Sequence, residues 1–191
     1  MSGIMSVLYF LATMFFNLVI FTLWVRVALR YFHVSAMHPV GQLVYTLTEP
    51  VIRPLEKVLR PRKTPVHTYD WVSMLVIFAL ELVKFMVVGL LIYKALIPVP
   101  YLLLLAAGDF IVQPCNFLFY LIVIRVVMSW VNPFWQHPVV PVIHLMTEPV
   151  LRLGRRLIPP IAGFDFSPII VLLLLKVIIL FVTHSLPLSL F

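Results

Sequence analysis

Three charged side chains lie inside long apolar stretches of this sequence. Glu81 and Lys84 stand near the middle of one stretch, and Lys176 stands near the middle of another. In the centre of a bilayer a charge costs about 2.5–3.5 kcal/mol on insertion scales, and pairing with an opposite charge reduces that cost. Glu81 has two candidate partners, which are Lys84 three residues further along the chain and Lys176 at a similar depth. Such a group could respond to ions or protons, or it could be a buried pair that fixes the register of two helices.

Two amides extend this predicted polar centre. Asn17 and Asn116 stand 99 residues apart in two further apolar stretches. We expect them to contribute hydrogen-bonding groups to the intramembrane polar centre formed by Glu81, Lys84 and Lys176. Asp109 stands early in its own stretch, and we expect it to be a solvated boundary residue or a partner of Lys94.

The composition sets the environment of these charges. The chain has 191 residues, of which 63% are apolar and 11% charged, whereas soluble domains have about 45–50% apolar and about 25% charged residues. A bilayer is crossed by about 20 apolar residues in a helix. Four stretches are long enough, at residues 6–30, 71–97, 101–130 and 168–187. We therefore predict an all-α polytopic membrane protein with four transmembrane helices.

A short phrase occurs twice between these stretches. The sequence reads TEPVIRPLEKVLRP over residues 48–61 and TEPVLRLGRRLIPP over residues 147–160, with six of fourteen positions identical. At the same offset of 99 residues, Arg26 matches Arg125. The chain therefore divides into two tandem repeats, residues 1–97 and 98–191, each a span, an amphipathic segment and a second span. Two spans per repeat give both copies the same orientation, which is the parallel kind of repeat.

The TEP tripeptide predicts two local features of each amphipathic segment. Pro50 and Pro149 are expected to interrupt the helix, with Thr48 and Thr147 as N-caps of the turn that restarts.

The acidic residue of the same tripeptide suggests a contact with the preceding span. We expect Glu49 to pair with Arg26, and Glu148 to pair with Arg125, at the ends of the first and third spans.

After the proline, each segment carries a basic cluster opposite apolar residues. The cations are Arg53, Lys57 and Arg60 in the first copy, and Arg152, Arg155 and Arg156 in the second. A helix with one cationic and one apolar face lies in the membrane interface, and each cation near anionic headgroups contributes about 1 kcal/mol. The clusters therefore predict contact with anionic membrane lipids or a docking surface for a partner.

The placement of the basic residues predicts the orientation. Eleven Lys and Arg residues lie at or within the two long connections, whereas the opposite side has only Lys94. The positive-inside rule therefore places both long connections in the cytoplasm and both termini outside.

Together these motifs resemble the YggT family, also called the YlmG group. The resemblance rests on HP…TEPVIRPLEKVLRP and HP…TEPVLRLGRRLIPP…DFSP, each between two spans, and it covers nearly the whole chain. The first copy departs from it, because DWVS stands where DFSP would be. The resemblance implies a multi-pass protein of the bacterial inner (plasma) membrane. Members of the family are linked to osmotic or ionic stress tolerance, and relatives to cell division or plastid membrane processes, including cytochrome assembly.

The sequence offers little for catalysis. No nucleotide-binding loop or nucleophile motif occurs, the single cysteine is Cys115, and the six histidines show no metal-binding spacing. We expect no enzyme activity, cofactor, metal, nucleic acid or small-molecule substrate. The expected function is that of an accessory protein with lipid or membrane-protein partners, or a homo-oligomer. The alternative is a small oligomeric channel or ion-flux modulator built on Glu81, Lys84 and Lys176.

Overall fold

The computed structural model describes residues 3–59, 70–132, 135–158 and 165–186, and they form six α-helices. Four of these helices are long and apolar enough to cross a membrane. The described residues contain no β-strand, so the predicted all-α class with four membrane-spanning helices is confirmed. The helices are α1 (Gly3–Tyr31), α2 (Pro39–Leu59), α3 (Trp71–Tyr93), α4 (Val99–Val131), α5 (Val139–Leu157) and α6 (Ser167–Ser185).

The two spans of each half pack against each other, as expected for a tandem duplication. Helix α1 packs most extensively on α3, and α4 packs most extensively on α6. The shorter helix α2 packs on α1 and α3, while α5 packs on α4 and α6. Contacts of α4 with α3 and α1 join the two halves. The boundary predicted at residues 97 and 98 falls in the turn between α3 and α4.

Three hydrophobic clusters hold this arrangement together. One lies within the first half and includes Ile20, Leu23 and Ile52, and another lies within the second half, around Ile122 and Leu151. A third cluster draws on both halves and is formed by Leu29, Val44, Phe117, Val142 and Met146. Burial of apolar surface therefore stabilises each half separately and also the junction between them.

The bundle has two chemically different ends. At one end, here called the basal end, α1 and α4 finish, α3 and α6 begin, and α2 and α5 pack against them. At the other, the apical end, lie the start of α1, the end of α6 and the turn between α3 and α4. Leu186, which follows α6, packs against Gly108 in the first half of α4.

The prolines do not interrupt α2 and α5, so that expectation was wrong. Helix α2 continues through Pro50, and α5 continues through Pro149. A proline inside a helix costs about 3 kcal/mol, because a backbone hydrogen bond is lost. One face of each helix is buried against the spans, at Val44 and Ile52 in α2 for example, and this packing offsets the cost.

Thr48 and Thr147 are therefore not N-caps. The Thr48 hydroxyl donates to the carbonyl of Val44 at 2.7 Å, and the Thr147 hydroxyl donates to that of Ile143 at 2.7 Å. This bond to the preceding turn leaves the oxygen lone pairs of each threonine available to a donor from a neighbouring helix.

Candidate functional site

The basal end of the first half is tied together by Arg26, Arg30, Thr48 and Asp70, here called the first basal cluster. Arg26 donates from Nη1 to Thr48 Oγ1 at 2.9 Å, and its Nε lies 3.4 Å from Asp70 Oδ2. Arg30 Nη1 lies 3.1 Å from the same oxygen. Because these residues come from α1, α2 and the start of α3, the cluster joins three helices.

Asp70 is the N-cap of α3 and is fully buried. Its carboxylate accepts from the Ser73 backbone N–H at 3.3 Å and from the Ser73 hydroxyl at 2.8 Å. Burial alone would raise the pKa of Asp70. The hydrogen bonds from Ser73 and the charges of Arg30 and Arg26 outweigh burial and hold that pKa below its ordinary value. The carboxylate is therefore ionised at neutral pH.

The second half has an equivalent group, the second basal cluster, formed by Arg125, Thr147, Glu148, Arg155 and Asp165. Arg125 donates to Thr147 Oγ1 at 2.8 Å and to Glu148 Oε2 at 2.9 Å. Arg155 donates to Glu148 Oε1 at 2.6 Å and lies 3.7 Å from Asp165. The Arg–Thr contact thus occurs in both halves. The carboxylate that pairs with this arginine differs, since it is Asp70 in the first half and Glu148 in the second.

Electrostatics keep both acids of the second basal cluster ionised. Burial opposes ionisation of Glu148, but the hydrogen bond from Arg125 and the nearby arginine charges lower its pKa. The pKa of Asp165 is also lowered, because hydrogen bonds from Ser167 and the charges of Arg155 and Arg125 outweigh its partial burial.

Of the two predicted Glu–Arg contacts, one is confirmed and one is wrong. Glu148 contacts Arg125, as expected. Glu49 instead pairs with Arg53 on its own helix at 2.8 Å, because Arg26 is buried and has Asp70 within reach. The aspartates that begin α3 and α6 were missed as partners, although Asp70 and Asp165 match between the repeats and could have indicated the contact.

The predicted basic surface is present only in part. Arg53, Lys57, Arg152 and Arg156 are exposed on α2 and α5, and Arg53 stays exposed although it also pairs with Glu49. Arg155 is engaged by Glu148 and Asp165, so it is not presented as a free cation. Arg60 lies outside the described residues.

The buried charged centre consists of Glu81, Lys84 and Asp109. Lys84 Nζ forms ion pairs with Glu81 Oε2 and Asp109 Oδ2 at the same time. Glu81 is fully buried, and Lys84 is 4% exposed. The partner of Glu81 is therefore Lys84, and Lys176 is not part of this centre.

Asp109 pairs with Lys84 and not with Lys94, so the expected Lys94 contact was wrong. Its place relative to the membrane boundary stays a prediction. Helix α4 begins at Val99, so Asp109 lies ten residues into the helix, or about 15 Å at 1.5 Å per residue. Lys84 lies nine residues before the end of α3, or about 14 Å. The two side chains therefore meet at a similar distance from the apical ends of their helices, whereas the basal end of α4 lies about 33 Å from Asp109.

Lys176 occupies a different environment. Its side chain is exposed, and Nζ lies 5.3 Å from the centroid of the Phe119 ring. It points away from Glu81 because Val171, Leu175 and Ile179 form the buried face of α6. All seven acidic residues of the chain are described, and none forms an ion pair with Lys176.

A cavity of about 300 Å³ leads to the buried charged centre. Its polar lining consists of Tyr9, Thr13, Asn17, Lys84, Asp109, Gln113 and Thr183. Asn17 lines the cavity together with Lys84, as predicted. Asn116 does not line it, because it is half-buried two helical turns beyond Asp109. Gln113, which lines it, was missed, although it stands one turn from Asp109 on the same helix.

The fold and its polar clusters define a class of protein. The chain is an α-helical membrane protein with four spans, built from two copies of a span–helix–span unit whose basal clusters repeat. Among the described residues, no group of three or more His, Cys, Asp or Glu side chains could hold a metal ion.

Comparison with known proteins gives the family. The CCB3/YggT family matches residues 5–91 and 104–186, and the chain belongs to it. Uncharacterized protein YggT of Escherichia coli (strain K12) is 30% identical over 174 residues, covering 91% of this chain and 88% of that protein. An uncharacterized protein in the proC 3′ region of Vibrio alginolyticus is 29% identical, covering 87% and 88%. No solved structure matches the chain at significant similarity.

Proposed function

We propose that this chain is a non-enzymatic accessory protein of the bacterial inner membrane. In this proposal α2 and α5 lie on the cytoplasmic leaflet, both termini are periplasmic, and the protein associates with anionic lipids and with a membrane-protein partner. Support of osmotic or ionic stress tolerance, or of the assembly of membrane complexes, is proposed from the family resemblance alone.

One observation carries the proposal: α2 and α5 each expose an apolar stripe beside exposed cations. On α2 the stripe is Leu43, Leu47 and Val51, which recur every four residues and are 45–61% exposed. Arg53 and Lys57 follow on the adjoining face. An exposed apolar stripe at the end of a transmembrane bundle is covered at least cost by acyl chains, while the adjoining cations meet headgroups.

Helix α5 repeats this arrangement with different residues. Leu145, Leu153 and Leu157 are 44–63% exposed on one stripe, and Arg152 and Arg156 lie beside it. We therefore infer that both helices are amphipathic interfacial helices. The four exposed cations then form one basic surface, here called the basal surface, at a single end of the molecule.

Lipid selectivity tests this proposal. The full-length protein is reconstituted with spin-labelled phosphatidylglycerol or phosphatidylcholine, and electron spin resonance measures the motionally restricted fraction of each lipid. The variant Arg53→Gln/Lys57→Gln/Arg152→Gln/Arg156→Gln should lose most of its preference for phosphatidylglycerol, since each cation contributes about 1 kcal/mol. The wild-type preference should also weaken as salt is added.

Lys94→Gln is the matched control, because Lys94 is exposed at the apical end of the bundle. This variant should keep most of the wild-type preference for phosphatidylglycerol, because the four basal cations remain. An unchanged preference in the quadruple variant would contradict the lipid contact.

The exposed Lys176 supports the partner part of the proposal. A lysine at the middle of a span, facing outward, is costly in lipid, and a carboxylate on a neighbouring helix would offset that cost. Because the described acidic residues already pair elsewhere, we propose that a different protein supplies the carboxylate.

Zero-length carbodiimide crosslinking in native membranes, followed by purification and mass spectrometry, tests the partner contact. The expected crosslink joins Lys176 to an acidic residue of a membrane protein and disappears in Lys176→Met. Ile178→Met, at an exposed position on the same helix, serves as the control. A set of crosslinked partners that is unchanged in Lys176→Met would remove Lys176 from the interface.

A second candidate, ion-flux modulation, is favoured by the polar cavity that reaches Lys84. In this case flux into proteoliposomes should exceed that of empty vesicles and fall to the empty-vesicle level in Glu81→Gln. Lys176→Met should keep the flux, because Lys176 is outside the buried charged centre. Flux equal to that of empty vesicles would exclude this candidate.

A further inference from the structure

The buried charged centre has an unequal number of charges. One cation, Lys84, contacts two carboxyl groups, those of Glu81 and Asp109. If all three groups were ionised, a net negative charge would remain around Glu81, whose side chain is fully buried. An uncompensated charge in an apolar environment is strongly unfavourable, and the group takes up a proton instead.

The remaining acidic residues of the chain do not share this imbalance. The chain has seven Asp and Glu residues, and the other five each contact at least one arginine. These five are Glu49, Glu56, Asp70, Glu148 and Asp165. Glu81 and Asp109 are thus the two acids that depend on a single, shared lysine.

The burial of Glu81 also indicates a proton. The residue is fully buried, and apart from the ion pair with Lys84 neither carboxylate oxygen has a hydrogen-bond partner among the described residues. An ionised carboxylate carries a charge into this buried position, whereas a protonated carboxyl is neutral and costs less to bury. A protonated carboxyl therefore leaves less unsatisfied charge in this position than a carboxylate does.

We propose that Glu81 and Asp109 share one exchangeable proton at neutral pH, so that with the Lys84 ammonium the centre is neutral. The proton is taken from water: one carboxylate accepts H⁺ from hydronium and becomes a carboxylic acid, and a water molecule is released. No oxidant or co-reactant is needed. The inference goes beyond the proposed lipid contact and holds whether or not the centre supports ion flux.

The cavity provides the route for this exchange. Its volume of about 300 Å³ compares with about 30 Å³ for one water molecule in the liquid, so it has room for several. Lys84 and Asp109 line it together with Tyr9, Thr13 and Asn17 of α1. Hydroxyl and amide groups at this spacing can hold a chain of water between the centre and the apical end.

Among the described residues that line the cavity, Tyr9 is the one further titratable group. Tyr9 faces the cavity from α1, Asp109 from α4, and α6 contributes the neutral Thr183 and Leu186. Helix α2 meets α3 at the basal end, near Asp70, which is tied to arginines. A proton bound in this cavity at neutral pH is therefore held by the two carboxyl groups.

The centre is not a by-product of the duplication. The repeats align at an offset of 99 residues up to the repeated phrase and at an offset of 95 after it. Asp109 therefore matches Phe10, Glu81 matches Lys176, and Lys84 matches Ile179. The basal clusters occur in both copies, as expected for contacts that hold each unit together, whereas the buried charged centre occurs once.

Infrared spectroscopy of the full-length protein tests the proposal. The protein is kept at pH 7 in a detergent without ester groups, so that the C=O stretch of a protonated carboxyl is not obscured. The expected wild-type spectrum shows the intensity of one carboxylic acid, and the band shifts in D₂O because the proton exchanges. Circular dichroism and gel filtration check that each variant is folded.

The variants should differ in the number of protonated carboxyl groups that the C=O band reports. Glu81→Gln and Asp109→Asn should each remove the band, because the remaining carboxylate is then neutralised by Lys84. Lys84→Met should double the band, since both carboxyl groups are left without a cation. Lys176→Met is the control and should leave one carboxylic acid.

The outcomes that would overturn the proposal are equally specific. A wild-type protein without the band would mean that both carboxyl groups are ionised. A band that persists in Glu81→Gln or in Asp109→Asn would mean that the proton is not shared. If Lys84→Met does not fold, the two carboxyl variants still decide the question, because each keeps the remaining ion pair with Lys84.

Discussion

Replacing Asp70 by asparagine should destabilise the protein far more than the equivalent change at Asp165. Asp70 is fully buried and faces two arginines, with its Oδ2 3.4 Å from Arg26 and 3.1 Å from Arg30. Asparagine can still accept from Ser73, but it lacks the charge that both guanidinium groups require. Asp165 is 42% exposed at its side chain and has one arginine, Arg155, at 3.7 Å.

The magnitudes follow from these contacts. A hydrogen bond to a charged group contributes about 1.5–3 kcal/mol, and removing one member of a buried charge network costs about 3–5 kcal/mol. We expect Asp70→Asn to lower the free energy of unfolding by about 3 kcal/mol. An exposed ion pair contributes at most about 1 kcal/mol, so Asp165→Asn should cost less than that.

Reversible unfolding in mixed detergent micelles, followed by circular dichroism, measures both variants under one condition. The pH dependence provides a second readout. Because the pKa of Asp70 is lowered in the folded state, its contribution is present above the ordinary Asp pKa of about 3.9 and is lost as the pH falls through the folded value. Asp70→Asn should therefore lose less stability than the wild type on acidification.

Equal costs for the two variants would refute this reasoning. They would mean that Asp70 acts only as an N-cap, a role that asparagine fills about as well as aspartate. The same conclusion would follow if acidification destabilised Asp70→Asn as much as the wild type.

Two further predictions concern the second half. Gly154→Val should lower the free energy of unfolding by about 1–3 kcal/mol, because a Cβ there would lie 2.7 Å from Val171 Cγ2 and 3.1 Å from the Ser167 carbonyl oxygen. Gly3 has open space around it, so Gly3→Val should leave stability unchanged in the same unfolding assay. A double-mutant cycle with Arg125→Gln and Glu148→Gln should give a coupling of about 0.5–1 kcal/mol, given the 35% exposure of the Glu148 side chain, and strictly additive single effects would show that the pair contributes nothing.

Much of the architecture could be predicted from the sequence, because membrane insertion leaves a strong signal. A span must be apolar over about 20 residues, and the predicted start of the second span at residue 71 coincides with the start of α3 at Trp71. The repeated phrase predicted the tandem units, and the same comparison led to the contact between Glu148 and Arg125.

The rotation of each span about its axis could not be predicted. Glu81 and Lys176 lie at matching positions of the two repeats, yet one is fully buried and the other exposed. All faces of these helices are apolar, so hydropathy does not distinguish the face that packs from the face that meets lipid. Asp109 was given the wrong partner for a related reason, since hydropathy does not show which face of α4 meets Lys84.

The continuation of α2 and α5 through their prolines also could not be predicted from local sequence preferences. Pro50 and Pro149 favour a break, but tertiary contacts outweigh that preference. Those contacts are the burial of one apolar face of each helix and the hydrogen bonds of Arg26 and Arg125 to Thr48 and Thr147. Only the fold brings these pairs together, so the sequence near each proline does not contain the information.

The central claim is that the basal surface lies against the cytoplasmic leaflet, and cysteine labelling tests it most directly. In a Cys115→Ser background, single cysteines replace Arg53, Arg152 or Lys94, all exposed, and a membrane-impermeant maleimide is applied to right-side-out and inside-out vesicles. We expect Arg53→Cys and Arg152→Cys to react only in inside-out vesicles, and Lys94→Cys only in right-side-out vesicles. Reaction of either basal position in right-side-out vesicles would contradict the claim.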